Sequence, residues 1–403
     1  MDIRRLKPED RVEYHAICQS VFFDIERHDV REMRKNPTEY AKDDPKARFG
    51  IFDVSGKLQS ALLINPFEMR MNGKNIKMGG LGAVVTRPES RGLGHMEALV
   101  RTAFEDMREK NQIFSFIYPF SFAYYRKFGY ETCYAYNKVK IPLEQLRGYH
   151  KEKREAEAIP YEPGDSIKPF ADIYQNFIID RNLSIIRSEN DWAQILDRDP
   201  YKDLQFTYHF RMPNGCAASY VLYEAEHDAE NGNRLIINEF CWRTPSAFHD
   251  VMHFISKLGA EFEEVHWNIP SDIDIFTLFP EAFNMEHQLH ATGMNRVIDV
   301  CAALETLHAP SGSGGVIIAV NDKFLPNNTG VYSVEWESEI LSVKKSRKAN
   351  PDAELSAETL AQLITGYATP ETVAYKKDVT INGAFSKLKS LFPKRHLFIV
   401  ERY

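Results

Sequence analysis

The chain has no basic excess, no long apolar run and no cysteine framework, and each absence removes a class of function. Its 50 Lys and Arg against 57 Asp and Glu leave a net charge of -7, the wrong sign for neutralising nucleic-acid phosphates or an anionic membrane. A cationic substrate suits it better. The five cysteines, Cys18, Cys133, Cys216, Cys241 and Cys301, are scattered and never in CxxC spacing. That speaks against a disulfide scaffold or a zinc cluster and for a reducing, cytoplasmic setting. No stretch approaches the 18 or so apolar residues that span a bilayer, and the opening MDIRRLKPED lacks the apolar centre of a signal peptide. HExxH and GxSxG are missing too. His249 and His253, four apart, therefore read as surface histidines, Cys133 as a buried thiol, and no metal is expected.

What is present is a long chain of ample hydrophobicity. At 403 residues, 43% of them hydrophobic, it exceeds one ordinary core and points to two or three domains. The first third alternates element types: a helix over 10–21, strands at 47–54, 58–72 and 78–86 joined by Ser55-Gly56 and Asn72-Gly73 turns, then a long helix. In that helix Leu93, Met96, Leu99, Val100, Ala103, Phe104 and Met107 recur at spacings of three and four, one apolar stripe. A strand at 113–119, a one-turn helix stopped by Gly129 and a strand at 130–141 follow. The charged, aperiodic stretch 147–169 reads as a domain boundary or, alternatively, a solvated surface helix.

Beyond it, strands at 204–212, 218–226 and 234–242, a helix from about Ser246 and a strand at 264–270 repeat the earlier order without its sequence, a degenerate internal duplication. The second copy has RTPS where the first has a glycine loop, so it is not expected to hold a ligand through backbone amides in the same way. A third region opens near Asn295 and carries strands at 316–322, 331–337 and 340–346, preceded by the turn SGSGG. Its helix 354–366 has Ser356 as N-cap and Gly366 as stop. The chain ends in HLFIVERY, a strand pattern running to the last residue, which places the terminal carboxylate inside the fold.

The sharpest chemical signal is VVTRPESRGLGHMEAL, residues 84–99. A strand ends at Thr86, Pro88 breaks it, and Arg91-Gly92-Leu93-Gly94 turns into the amphipathic helix. Glycines permit positive φ and close approach, and the free N–H groups of a helix start favour an anion. This is a phosphate or pyrophosphate site. It lacks the Lys and Ser/Thr of a Walker loop, and Glu97 stands where a dinucleotide fingerprint has its third glycine.

With its surroundings, the loop resembles that of the GCN5-related N-acetyltransferases (GNAT), and SFAYYRKFGYE (121–131) resembles a segment of the enhanced-intracellular-survival (Eis) acetyltransferases. RSENDWAQIL (187–196) and NRVIDVCAALETL (295–307) echo the same family. The resemblance implies an α/β (α+β) fold of two tandem GNAT-like mixed-sheet domains and a sterol-carrier-like α+β domain, over 1–146, 147–294 and 295–403. It implies acetyl-CoA as co-substrate, with Val84, Val85 and Thr86 pairing with the pantetheine amides. Arg91, Gly92, Leu93, Gly94, His95 and Met96 would hold the pyrophosphate, and Phe120 and Ser121 would flank the pantetheine. Glu89 departs from the family's Gln or Arg, and the Phe120-Ser121 pair is also altered. By the same likeness Tyr125 is the general acid and the Tyr403 carboxylate the base, acting through water. The implied activity is N-acetylation of a primary amine of a cationic small molecule, an aminoglycoside among the candidates, by an enzyme that assembles as a homo-oligomer, in relatives a hexamer. The rival is a non-catalytic acyl-CoA or lipid-binding protein built on the sterol-carrier-like region.

Overall fold

The computed structural model describes residues 2–23, 27–37, 46–151, 154–228, 232–279, 285–347 and 350–401. Its frame is a mixed twelve-stranded sheet. The strands are β1 (Asp2–Arg5), β2 (Ala47–Phe52), β3 (Leu58–Met71), β4 (Lys74–Thr86), β5 (Phe114–Ile117), β6 (Glu131–Pro142), β7 (Glu157–Pro160), β8 (Gln205–Arg211), β9 (Ala217–Asp228), β10 (Gly232–Trp242), β11 (Glu264–Pro270) and β12 (Glu286–Val297). They lie side by side as β1-β2-β3-β4-β5-β12-β6-β11-β10-β9-β8-β7. Two halves with the same order of strands and helix thus share one sheet, joined where β6 pairs with β11 from Pro142↔Glu264 to Tyr136↔Pro270.

Successive strand residues point to opposite faces, and burial throughout Ala47–Phe52 and from Leu58 to Asn65 means that both faces of the sheet are covered there. Helix α1 (Arg11–Val21) lies near the first edge, where Ile17 and Cys18 share a cluster with Leu58 and Val85. Helix α2 (His95–Glu109) covers one face of the first half: of the stripe read from the sequence, Met96, Leu99, Val100, Ala103, Phe104 and Met107 share a core with Ile51, Leu62, Ile64 and Leu81, while Leu93 precedes the helix and is exposed. Four residues per two turns facing the sheet is what makes this helix stable there. The opposite face of β3, β4 and β5 is covered by the C-terminal region, so Met69, Met78 and Phe116 share a core with Leu360, Leu363 and Ile364. These three leucine and isoleucine side chains contribute about 1.5–3 kcal/mol each by leaving water.

The C-terminal region has its own five-stranded sheet, in the order Ile340–Ser346, Gly330–Glu337, Ser313–Asn321, Ala353–Ser356, Thr380–Ile381. Its helix Ala357–Thr365 has Ser356 accepting from the Thr359 N–H and ends at Gly366 with φ 72°, as expected.

Several expectations are corrected. The stretch 147–169, read as a domain boundary, is not the single surface helix of the alternative reading: a 3-10 helix runs over Leu143–Lys151 and Glu157–Pro160 forms the last strand of the sheet. The sheet edge recruits that charged segment through backbone bonds, which composition does not reveal. The strand at Asn295 begins at Glu286 and inserts between β5 and β6. SGSGG is only half a turn, for Ser313–Gly315 belong to a strand, and Gly314 is there because a Cβ would stand 2.7 Å from the Trp336 ring. Among the described residues of HLFIVERY, the ladder is confined to His396–Leu397, beside Arg181–Asn182; Phe398 and Ile399 are instead buried by side-chain packing. His253 is buried, with Nδ1 2.7 Å from the Tyr149 carbonyl, while His249 is exposed.

Candidate active site

Strands β4 and β5 run parallel over Met78↔Phe114, Gly79↔Ser115 and Gly80↔Phe116, and their pairing stops there. From Leu81 to Thr86, β4 keeps β3 on one side and, among the described residues, has no strand on the other. Such an edge is a row of backbone donors and acceptors open to any amide-bearing chain. On the β3 side the register jumps from Ala61↔Val85 to Leu63↔Gly82, a bulge in which Ala83 takes φ 43°. Positive φ at a non-glycine costs about 1–2 kcal/mol, and bulges of this kind re-aim the backbone beside active sites. Val85 is buried towards α1, while Val84 and Thr86 are half-buried.

The turn into α2 is built as the sequence suggested. Gly92 and Gly94 have φ 82° and 74°, and a Cβ on either would meet nothing within 4 Å. They serve a backbone conformation and leave the space before it empty. Gly94 is the N-cap residue, and no side chain caps this helix, so its first N–H groups remain for an anion. Arg91 and Leu93 are exposed at the rim; the His95 side chain turns inward, Nδ1 3.0 Å from Ser60 Oγ, and Met96 is buried. For His95 and Met96 only the backbone is on offer. Glu89 reaches outward to Lys57, 3.4 Å away. In the second half the matching helix, α4 (Pro245–Ser256), is capped by Thr244, whose hydroxyl accepts from the Ala247 N–H. There the helix start satisfies itself.

Across the splay, Phe120 is 76% exposed and Ser121 caps the short helix α3 (Phe122–Arg126), accepting from the Tyr124 N–H. Ser121 thus spends its oxygen on α3. Tyr125, in α3, is 2% exposed among Phe120, Tyr124, Phe128 and Tyr130, with ring centroids 5.3–6.3 Å away. Burial is the main cause that raises its phenol above the ordinary tyrosine value. No hydrogen bond to its hydroxyl is found among the described residues. The α3 turn is anchored from below: Gly129, φ 82°, lies on the Arg296 guanidinium, to which a Cβ would come within 2.7 Å, and Tyr130 hydroxyl meets Ser115 Oγ at 2.6 Å. Cys133 is fully buried and its thiol is pushed up to about 12, chiefly by burial, hence inert. Tyr403 lies outside the described residues; the chain is described as far as Glu401.

The sequence reading missed two features. Asn65, on β3 opposite Gly80, alternates with Ile64, which faces α2, so it points to the other face; it is buried and its Nδ2 has no partner among the described residues. No motif marks it. Arg187, Glu239 and Glu401 form a buried ion cluster that no local pattern could reveal, because its members are far apart in sequence. A cavity of about 950 Å³, with Arg126 of α3 in its lining, lies between β6, β12, the segment Ser271–Phe276 and the C-terminal region. Glu131, Asp272, Lys376 and Lys394 line it beside Phe276 and Leu289, a mixed lining that suits no plain hydrocarbon chain.

An uncapped glycine entry to a helix, a splayed parallel strand pair and a bulge on the strand before it together set an open strand edge beside a helix start whose N–H groups suit an anion. Comparisons with known proteins agree. Residues 2–133 and 183–297 match two families described as acetyltransferase (GNAT) domains, and residues 300–400 match the sterol carrier protein domain. No curated protein matches the sequence. Among solved structures, a probable N-acyltransferase of unknown function from Enterococcus faecalis is similar with TM-score 0.86 at 19% identity, covering 100% of this chain and 99% of that one. A GCN5-related N-acetyltransferase from Anabaena variabilis gives 0.85 at 20% identity, with both chains fully covered. Eis1 from Mycobacterium abscessus gives 0.80 at 17%, again with both fully covered. The chain belongs to the GCN5-related N-acetyltransferases, in the Eis-like arrangement of two GNAT domains and a sterol carrier domain. It is an N-acetyltransferase whose co-substrate is acetyl-CoA.

Proposed function

We propose that the first GNAT domain transfers the acetyl group of acetyl-CoA directly to a primary amine of a cationic small molecule, of which an aminoglycoside is one candidate. The observation that carries this is the uncapped, glycine-lined start of α2 beside the open edge of β4, set against the self-capped α4 of the second half. The N–H groups from Arg91 to Met96 would hold the pyrophosphate. The pantetheine amides would add to Val84–Thr86 as a strand does, with exposed Phe120 and half-buried Ser121 across the splay.

Transfer requires a neutral amine, a place for the developing oxyanion and a proton for the departing thiolate. The bulged backbone around Ala83 is the nearest source of oxyanion donors. Tyr125 is the acid: a buried phenol stays protonated at neutral pH and can pass its proton to a thiolate. The terminal carboxylate of Tyr403 is the base, through water. Net negative charge favours a cationic acceptor without selecting one. The free cysteines fit a cytoplasmic setting, and no helix of the described residues is long and apolar enough to cross a membrane. Assembly into a homo-oligomer rests on the family resemblance alone.

Thiol release from acetyl-CoA over a panel of amines tests the reading. Tyr125→Phe should lower kcat by about 10²–10⁴-fold and leave the KM for acetyl-CoA unchanged. No turnover on any amine, with lipid co-purifying, would instead favour the binding-protein alternative.

A further inference from the structure

In the first half, the wedge beyond the last parallel pair, Gly80↔Phe116, is open. In the second half the last parallel pair is Ile237↔Trp267, so Glu239, two residues further along β10, takes the place that Gly82 has in β4. Glu239 is buried, 6% exposed. Its carboxylate accepts from both terminal nitrogens of Arg187, at 2.8 and 2.7 Å, and from the Tyr220 hydroxyl. The remaining guanidinium nitrogen, Nε, donates to Glu401 Oε1 at 2.7 Å. The Arg187 side chain is 1% exposed and that of Glu401 10%, and the guanidinium stands 4.0 Å over Tyr174 and 4.5 Å over Trp192.

The segment leading to Glu401 is held by the same region. His396–Leu397 ladder with Arg181–Asn182, Phe398 N–H donates to the Asn182 carbonyl at 3.0 Å, and the Phe398 carbonyl accepts from Ser184 Oγ at 2.9 Å. Glu401 is two residues from the chain end. The charge count is the telling point. Arg187 is already neutralised, bidentately, by Glu239, so a second buried carboxylate leaves an excess of negative charge and is a poor device for stability. Its use is to fix register, for a charged group with one matching nitrogen cannot slide as an apolar side chain can.

We propose that the degenerate second GNAT domain has its wedge converted into a clamp: Arg187, held by Glu239, grips Glu401 and so sets the position of the terminal carboxylate. This rests on the reading of Tyr403 as the base. Arg187, Glu239 and Glu401 are then positioning residues. Two residues span at most about 7 Å, so a slip at Glu401 passes to the chain end almost undiminished, and an error of about 1 Å in a reacting group can cost about 10²-fold.

Glu401→Ala leaves the Arg187–Glu239 pair intact, so the fold is retained. It should lower kcat about 10–100-fold with the KM for acetyl-CoA and the melting temperature unchanged, and Glu401→Gln, whose amide oxygen still accepts from Nε, should recover part of the loss. Carboxypeptidase should release Tyr403 from the folded Ala variant faster than from the native protein. Alongside, one alanine is added after Tyr403. If the extension abolishes turnover and Glu401→Ala lowers kcat, the clamp stands. If the extension abolishes turnover but Glu401→Ala keeps full kcat, or the two proteins release Tyr403 equally fast, the clamp is overturned and the base reading survives. An extended protein with native turnover overturns both.

Discussion

The turn that carries Tyr125 rests on a buried ion pair, and breaking that pair is the most demanding test of the architecture. Asp322, in the sterol carrier domain, accepts two contacts from Arg296 Nη2 at 2.7 and 2.6 Å, the N–H groups of Phe324 and Leu325 at 3.1 and 2.8 Å, and Asn328 Nδ2 at 3.0 Å. Both side chains are buried, at 0% and 1% exposure. Arg296 Nε and Nη1 have no partner among the described residues, so the guanidinium relies on Asp322 alone for its counter-charge. Asp322→Asn strands that charge in the core, which costs about 3–5 kcal/mol for a buried pair broken on one side. The double variant Arg296→Met, Asp322→Asn removes the stranded charge while the Asn oxygen still accepts from Phe324 and Leu325. It should recover most of the loss, since a buried pair replaced by apolar packing is close to neutral. Urea unfolding followed by fluorescence measures both, and turnover is read in parallel, because Gly129 lies on the same guanidinium. A single-variant loss below about 1 kcal/mol, the value of an exposed pair, would refute the reasoning. So would a double variant no more stable than the single one.

Three further outcomes are expected. Gly94→Val forces a β-branched residue to φ 74° in open space and should cost about 1–2 kcal/mol of stability while raising the KM for acetyl-CoA about tenfold, the equivalent of about 1.4 kcal/mol; an unchanged KM would count against the cradle. Because burial raises the Tyr125 phenol above its ordinary value, the acid stays protonated as pH rises, and kcat at saturating substrate should show no alkaline fall between pH 8 and 10. A fall there would assign the acid elsewhere. Thr244→Ala should cost about 1 kcal/mol as a lost cap and leave the KM for acetyl-CoA untouched, whereas a raised KM would mean that the second half also binds cofactor.

The sequence by itself determined what depends on local pattern. The apolar stripe of α2, the glycines at 92 and 94, the Ser356 cap and the duplicated strand order are all short-range consequences of side-chain period and backbone freedom, and they were legible without coordinates. The backbone form of the loop was legible for the same reason, since a glycine turn into a helix needs only its own few residues. What only the tertiary structure decided involves partners distant in the chain. That β12 enters between β5 and β6, that Glu157–Pro160 closes the sheet edge, that Asn65 is buried on the sheet face away from α2, and that Arg187 joins Glu239 and Glu401 are outcomes of strand pairing and packing across tens to hundreds of residues. Charged residues such as these read as surface in any local window. They are buried here because each found its opposite on another element, and no spacing in the sequence records that meeting.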